Sequence, residues 1–406
     1  MEGSFKTEAF TAGPLRRHAT SLESVFSVNN SMTFSQAERT QASARMDHIL
    51  RHFETAAASG QTGLQRGPDY NRPALIRLTY EYTLNYESKD LFLGSFFGTL
   101  SLPPVGNITD RDVDVGDPRI ADDLRPLVYN FGEYLMANFF MPLKASSKKI
   151  LQPSPIPHSA VLRAQGLDES SHERVGTPER ISTLRGTCLL RDRNRCVISR
   201  KFDTNEAIRR GKAAQDGIAL DDDGVAITEF DVADLEVAHI LPHSLGKASS
   251  GAFLDDSKKA ALDILNMFDA GIADVIEGAK IDRPFNAVTL TLTHHRRFGA
   301  FETYFQPVPG QAPHTYQINS FNGFLGKSLA LPVTRTLFLA ENFSIDPPAP
   351  RLLAIHRAIA HVLHLSGAGE YIDKVLDDAE DCGVRADGTT ALGSLVGLRL
   401  ESFVSV

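Results

Sequence analysis

The run Leu235–Leu245, LEVAHILPHSL, holds two histidines four residues apart, His239 and His243. On a helix that spacing would place both on one face. Pro242 lies between them. It removes a backbone donor and clashes with the preceding turn, which argues against a helix through the run. Leu235, Val237 and Ile240 with Leu241 read instead as a short buried strand entering a turn. An imidazole then sits at the end of a buried strand, and any fold for this chain has to account for it.

Further along, Asn286 opens a second strand, NAVTLTL, in which Val288, Leu290 and Leu292 alternate with neighbouring residues. His294 and His295 follow in HHRRFGAF, which fits a helix start. The order is strand, loop, strand, helix, with His239, Asn286 and His295 at the three junctions. These three should converge.

The rest of the chain divides around this unit. Residues 1–32 are polar and mixed and read as a flexible N-terminus. Residues 33–142 read as a helical domain with an aromatic core. Its first helix opens on a capping box, Ser35 with Glu38, presents Met46, Ile49, Leu50 and Phe53 on one face and stops at Gly60. Pro73 suits the first turn of a second helix. His48 and His52, one turn apart, read as solvated. Residues 143–183, with QPSPIP inside, read as a linker or arm. The stretch LRGTCLLRDRNRCVIS looks β-rich and basic, and 204–230 is an acidic insertion. Residues 326–406 form a C-terminal helical extension. Within it PPAPRLLAIHRAIAHVLHLSG is an amphipathic helix with Leu352, Ile355, Ile359, Val362 and Leu363 inward. His356, His361 and His364 are expected to face solvent.

Totals narrow the functional classes. No apolar run reaches the roughly 18 residues of a membrane helix. The N-terminus has no compact apolar core and does not read as a secretory signal. Cys188, Cys196 and Cys382 form no C-x-x-C pair. An odd, sparse count suits a reducing intracellular compartment, nucleus or cytoplasm, and the thiols read as buried. Net charge is −8. A protein that grips a nucleic-acid backbone is usually basic. Residues 184–325 hold 16 Lys/Arg against 19 Asp/Glu, so any such grip has to come from a local strip.

Taken together, CVIS at Cys196–Ser199, AHILP at Ala238–Pro242, NAVTL at Asn286–Leu290, HRRFGAFETYF from His295 and PHTYQI from Pro313 resemble an HNH nuclease domain. The likeness is greatest to the branch found in fungal proteins. The resemblance implies an α+β fold: a ββα-metal core over 184–325, with CVIS as a strand, joined to the N-terminal helical domain and the C-terminal amphipathic helix. It implies hydrolysis of phosphodiester bonds, with DNA as the expected nucleic-acid partner and Mg2+, Mn2+ or Zn2+ as cofactor. In that scheme His239 is the general base, Asn286 holds the intervening loop and His295 binds the metal. Arg283, Arg296 and Arg297 form a basic lip for phosphate oxygens.

One position departs from the pattern. Many HNH nucleases carry a metal-binding Asp or His just before the base, where this chain has Ala238. Glu236 lies on the same side of the strand, its Cα about 6.6 Å away, and is the expected replacement. His294 is a further candidate ligand. His243 is a lesser one, read first as a turn residue bonding backbone. Two other functions stay open at this stage. The same pocket could serve a small-molecule enzyme with His239 as acid or base, or the helical domain could make this a non-catalytic interaction protein.

Overall fold

The computed structural model describes residues 33–58, 70–147, 177–246, 256–340 and 344–380. The N-terminal 32 residues, Gly60, the QPSPIP stretch, Cys382 and the tail lie outside the described residues, as do the expectations placed on them. The architecture is mixed, with many helices and three small sheets among the described residues.

Helix α1 (Gln36–Ala58) starts where its capping box puts it. The Glu38 amide donates to Ser35 Oγ at 3.3 Å, and the Ser35 amide donates to Glu38 Oε2 at 2.8 Å. Met46, Ile49, Leu50 and Phe53 are buried. Helix α2 (Arg72–Glu81) carries Pro73 in its first turn and is capped by Asn71. Helix α3 (Tyr86–Leu100) is enclosed on most sides. Helix α4 (Pro118–Leu135) keeps Pro126 within one span and runs through a π turn, Met136–Phe140, into α5 (Met141–Ser147). Phe131 takes Phe92 and Phe96 edge-to-face at 5.7 and 5.6 Å.

The basic stretch after residue 176 departs from expectation. Its first part is helix α6 (Thr177–Arg191), and CVIS is a turn rather than a strand. Leu184, Cys188 and Leu189 share the buried side of this helix. Arg191 is fully enclosed. It pairs with Asp192 at 2.8 Å and donates to the carbonyls of Pro284 and Ala287. Asp192 Oδ2 also accepts from the Thr289 amide. Part of the basic character of this stretch is therefore spent on internal structure.

Strand β1 (Phe202–Asp203), helix α7 (Thr204–Ala213) and strand β2 (Val232–Ala233) form a small parallel crossover. Strand β3 (Leu235–His239) follows, then α8 (Asp256–Asn266), α9 (Ile272–Val275), strand β4 (Ala287–Thr291) and helix α10 (Leu292–Gly299). Strands β5 (Thr303–Pro307) and β6 (Thr315–Ser320), helix α11 (Gly323–Ser328) and strand β7 (Val333–Thr336) make an antiparallel sheet in the order β5-β6-β7. Helices α12 (Pro350–Leu365) and α13 (Ala368–Glu380) close the chain. One apolar core runs from Phe34 to Val375. Phe139 stacks on Phe268 at 5.7 Å across it. No described helix is long and apolar enough to cross a membrane.

The inward residues of α12 are buried as the pattern predicts. His356 is not solvent-facing. It is 1 % exposed and lies between the rings of Phe298 and Phe301. The helix packs against both α2 and β5, so its buried stripe is wider than a one-sided amphipathic pattern suggests. His361 is half-buried and His364 is exposed.

Candidate metal centre

Strands β3 and β4 pair antiparallel, from Leu235 opposite Thr291 to His239 opposite Ala287. Alternation puts Glu236 and Ala238 on one face and Val237 and His239 on the other. Helix α10 meets the first face, where His295 Nδ1 and Glu236 Oε2 are 2.6 Å apart. Helix α6 meets the second, where Leu184 and Cys188 cluster with Val237 and Ala287. His239 therefore ends its strand on the α6 side.

Beyond His239, Pro242 opens a 3-10 turn, His243–Leu245. A second 3-10 turn, Gly278–Asp282, packs against it. Gly246 permits this approach, since a Cβ there would collide with the Ile281 side chain. The packing brings Asp282 to both imidazoles. Its Oδ1 lies 3.1 Å from His239 Nε2 and 2.6 Å from His243 Nδ1. Its Oδ2 accepts from Arg180 Nε of α6 at 3.2 Å. Burial alone would push the Asp282 carboxyl up, but the hydrogen bonds and charges of the two histidines outweigh it and hold it below the usual carboxylate range. One donor atom from each of His239, His243 and Asp282 lies within 4.8 Å of the other two. His239 Nδ1 and His243 Nε2 are buried without a partner.

Asn286 fixes the loop behind this cluster. Its side chain is fully buried. Oδ1 accepts from the Leu241 amide, and Nδ2 donates to the carbonyls of Leu241 and Ile281, each at 2.9 Å. One amide thus ties the segment after His239 to the segment before Asp282. Asn286→Ala strips partners from three buried backbone groups and should lower unfolding free energy by roughly 2–4 kcal/mol. Urea denaturation at neutral pH measures it, and a loss under about 1 kcal/mol would remove the clamp from this account.

Residues 196–306 match the family model described as HNH endonuclease. This stretch is an HNH endonuclease domain. Neither the curated proteins nor the solved structures gave a match. The HNH segment contains β3, β4, α10 and all three clustered donors. Arg180 and β7 fall outside it.

Within the HNH domain the expected site residues fall into separate groups. His239 and Asn286 share one knot. His295 and Glu236 pair across the helix face of β3. His294 does not join that pair: its Nδ1 is buried without a partner, and burial pulls its pKa down to about 4. Among the described residues only His239, His243 and Asp282 assemble as a three-donor cluster. The set His295, Glu236 and His294 does not, because consecutive residues of a helix point about 100° apart, and His295 is the one that meets Glu236. His243, expected to bond backbone, meets a carboxylate instead. Asp282 is absent from the sequence reading. It is one acidic residue in a loop, and only the folded turn brings it to the histidines.

Two of the three arginines of the expected basic lip are already ion-paired. Arg283 pairs with Asp346 at 3.0 Å and Arg297 with Glu302 at 2.9 Å. Arg296 is exposed and forms no ion pair among the described residues.

Proposed function

We propose that the HNH domain is a metal-dependent nuclease, hydrolysing phosphodiester bonds of nucleic acid with a divalent ion held by His239, His243 and Asp282. The observation that carries this reading is the convergence of two imidazoles and a carboxylate inside an HNH segment. The donor chemistry fits. Two nitrogens and one oxygen suit Zn2+ or Mn2+ better than Mg2+, which prefers oxygen and water. Three protein ligands leave room for substrate, as in catalytic sites. When bound, the ion supplies Lewis-acid polarisation of phosphate oxygens.

The chain's own residues do the rest. Arg180 holds Asp282 through Oδ2 and so keeps Oδ1 toward the histidines. Asn286 holds both loops of the cluster in place. In this reading β3, β4 and α10 are the strands and helix of the ββα-metal unit. The His295–Glu236 pair ties the helix to the first strand. His239 serves as ligand rather than base, since its Nε2 faces Asp282 and its Nδ1 is enclosed.

A second reading, favoured by the His239–Asp282 contact itself, keeps His239 as the general base with Asp282 orienting its ring. Cleavage of supercoiled plasmid with Mn2+, Zn2+ or Mg2+, beside titration calorimetry of the same ions, separates the two. His239→Ala should lose both metal binding and cleavage. If it keeps wild-type metal affinity and loses about 10²–10⁴-fold in rate, the base assignment is right and the ligand assignment wrong. His295→Ala should keep its metal. A wild type that cleaves no nucleic acid with any of these ions sinks the nuclease reading.

A further inference from the structure

The turn that carries CVIS lies along β4, where the Val197 amide donates to the Thr289 carbonyl at 2.9 Å. On its other side the turn meets β7 through two arginines that cross. Arg335 Nε of β7 donates to the Ile198 carbonyl at 2.7 Å, and Arg200 Nη2 donates to the Thr336 carbonyl. The Arg200 guanidinium also lies over the Phe338 ring, 4.1 Å from its centroid. Arg200 has φ 67°, a left-handed conformation that a non-glycine residue adopts at a cost.

These contacts fix the position of both cations without neutralising them. Among the described residues neither Arg200 nor Arg335 forms an ion pair, in contrast to Arg283, Arg297, Arg195 and Arg210. Arg200 Nη1 is enclosed with no partner at all. Burial lowers the Arg200 pKa, and the charge of Arg335 lowers it further, so the pair repels. Asp192 pulls the other way, but it is already engaged by Arg191 and the Thr289 amide. Lys201, next in sequence, is exposed. The crossed contacts thus place two guanidiniums at one junction between the turn and β7, each anchored on a backbone carbonyl of the other segment. Arg200 Nη1 is enclosed, and Arg335 Nη1 donates to the Thr334 carbonyl at 3.3 Å, so the second hydrogen of Arg200 Nη2, Arg335 Nη2 and the exposed Lys201 are the donors left to meet phosphate oxygens.

We infer that Arg200 and Arg335, with Lys201 beside them, grip a phosphodiester of a bound nucleic-acid strand, so that the backbone-binding surface lies on the CVIS turn and β7. This rests on the nuclease reading for the identity of the anion. It also answers the acidic balance of the chain, since a local strip free of carboxylate partners suffices.

The test is binding of the full-length protein to a labelled duplex and to one of its single strands, by fluorescence anisotropy in EDTA across a salt series. Arg200→Gln/Arg335→Gln should flatten the log–log salt slope on duplex by about two and weaken binding roughly tenfold or more near 0.1 M salt. Arg200→Lys/Arg335→Lys should keep the slope. Arg119→Gln/Arg209→Gln, exposed arginines paired with Asp117 and Glu206, should match wild type. If the double Gln variant melts early, Lys201→Gln decides, because that exposed residue should lower the slope by about one without affecting the fold. An unchanged slope in well-folded variants overturns the surface. So does displacement of the oligonucleotide by millimolar inorganic phosphate at constant ionic strength, which would mark a free-phosphate site. A wild type that binds and never cleaves sinks the nuclease reading and leaves this surface standing; one that cleaves while the variants keep its slope sinks the surface alone.

Discussion

Asp282→Asn should weaken divalent-metal binding by more than about 10²-fold and abolish metal-dependent cleavage, the largest effect expected of any single substitution here. The side chain keeps its shape, so packing of the two 3-10 turns is retained. What changes is the one oxygen that both imidazoles meet, at 3.1 and 2.6 Å. An amide carries no charge, and when its oxygen faces one imidazole its NH2 turns to Arg180, a donor against a donor. His243→Ala should act in the same direction with less loss of stability, since that side chain is 17 % exposed and Asp282 keeps Arg180. Calorimetric titration with Mn2+ and Zn2+, beside plasmid cleavage, reads both. Wild-type metal affinity in Asp282→Asn would remove this cluster as the metal centre and return attention to Glu236 and His295.

The legible parts of this molecule were the local ones. A capping box and a proline in a first helical turn depend on neighbours a few residues away, and each lies where the pattern puts it; the strand after Asn286 is also there, but it is buried on both faces and ends at Thr291, with Leu292 opening α10. The end of β3 is equally plain, because Pro242 disfavours a helix through a run whose apolar residues already read as a strand. The His239–His243–Asp282 cluster depends on different information. It forms because the β3–β4 register brings the ends of a long connection together and Asn286 locks them. Asp282 reaches His239 only through that closure, and no spacing rule singles it out. Helix α6 was hidden for a related reason. Gly186, Thr187 and Cys188 lower its intrinsic propensity, so the stretch reads as β-rich and basic. In the fold Arg185 and Arg191 turn inward to backbone carbonyls. Apolar spacing cannot show a buried charge that is satisfied by distant carbonyls.

The same reasoning gives a second large effect, on acid stability. His356 lies flat between Phe298 and Phe301, with ring centroids at 3.9 and 4.7 Å. Its Nε2 is 3.0 Å from the Phe298 carbonyl, so this nitrogen carries the proton and Nδ1 is bare, buried and without a partner. Protonating Nδ1 would place a charge in an apolar slot. Burial accordingly pulls the pKa down to about 3, against a weaker upward pull from the Phe298 carbonyl. The sign follows from linkage. Above the ordinary value of 6.5 both folded and unfolded states hold a neutral ring, and pH has no effect through this group. Below it the unfolded chain takes up a proton that the folded chain refuses. Stability therefore falls as pH drops from 6.5 toward 3, by about 1.4 kcal/mol per unit. At pH 4.5 that amounts to roughly 2–3 kcal/mol from one side chain. His356→Phe keeps a ring in the slot and forfeits one hydrogen bond, about 1 kcal/mol. It should be slightly less stable than wild type at pH 8 and more stable at pH 4.5. Urea midpoints at the two pH values give the answer directly, and parallel pH curves for the two proteins would mean that His356 does not control the acid response of this core.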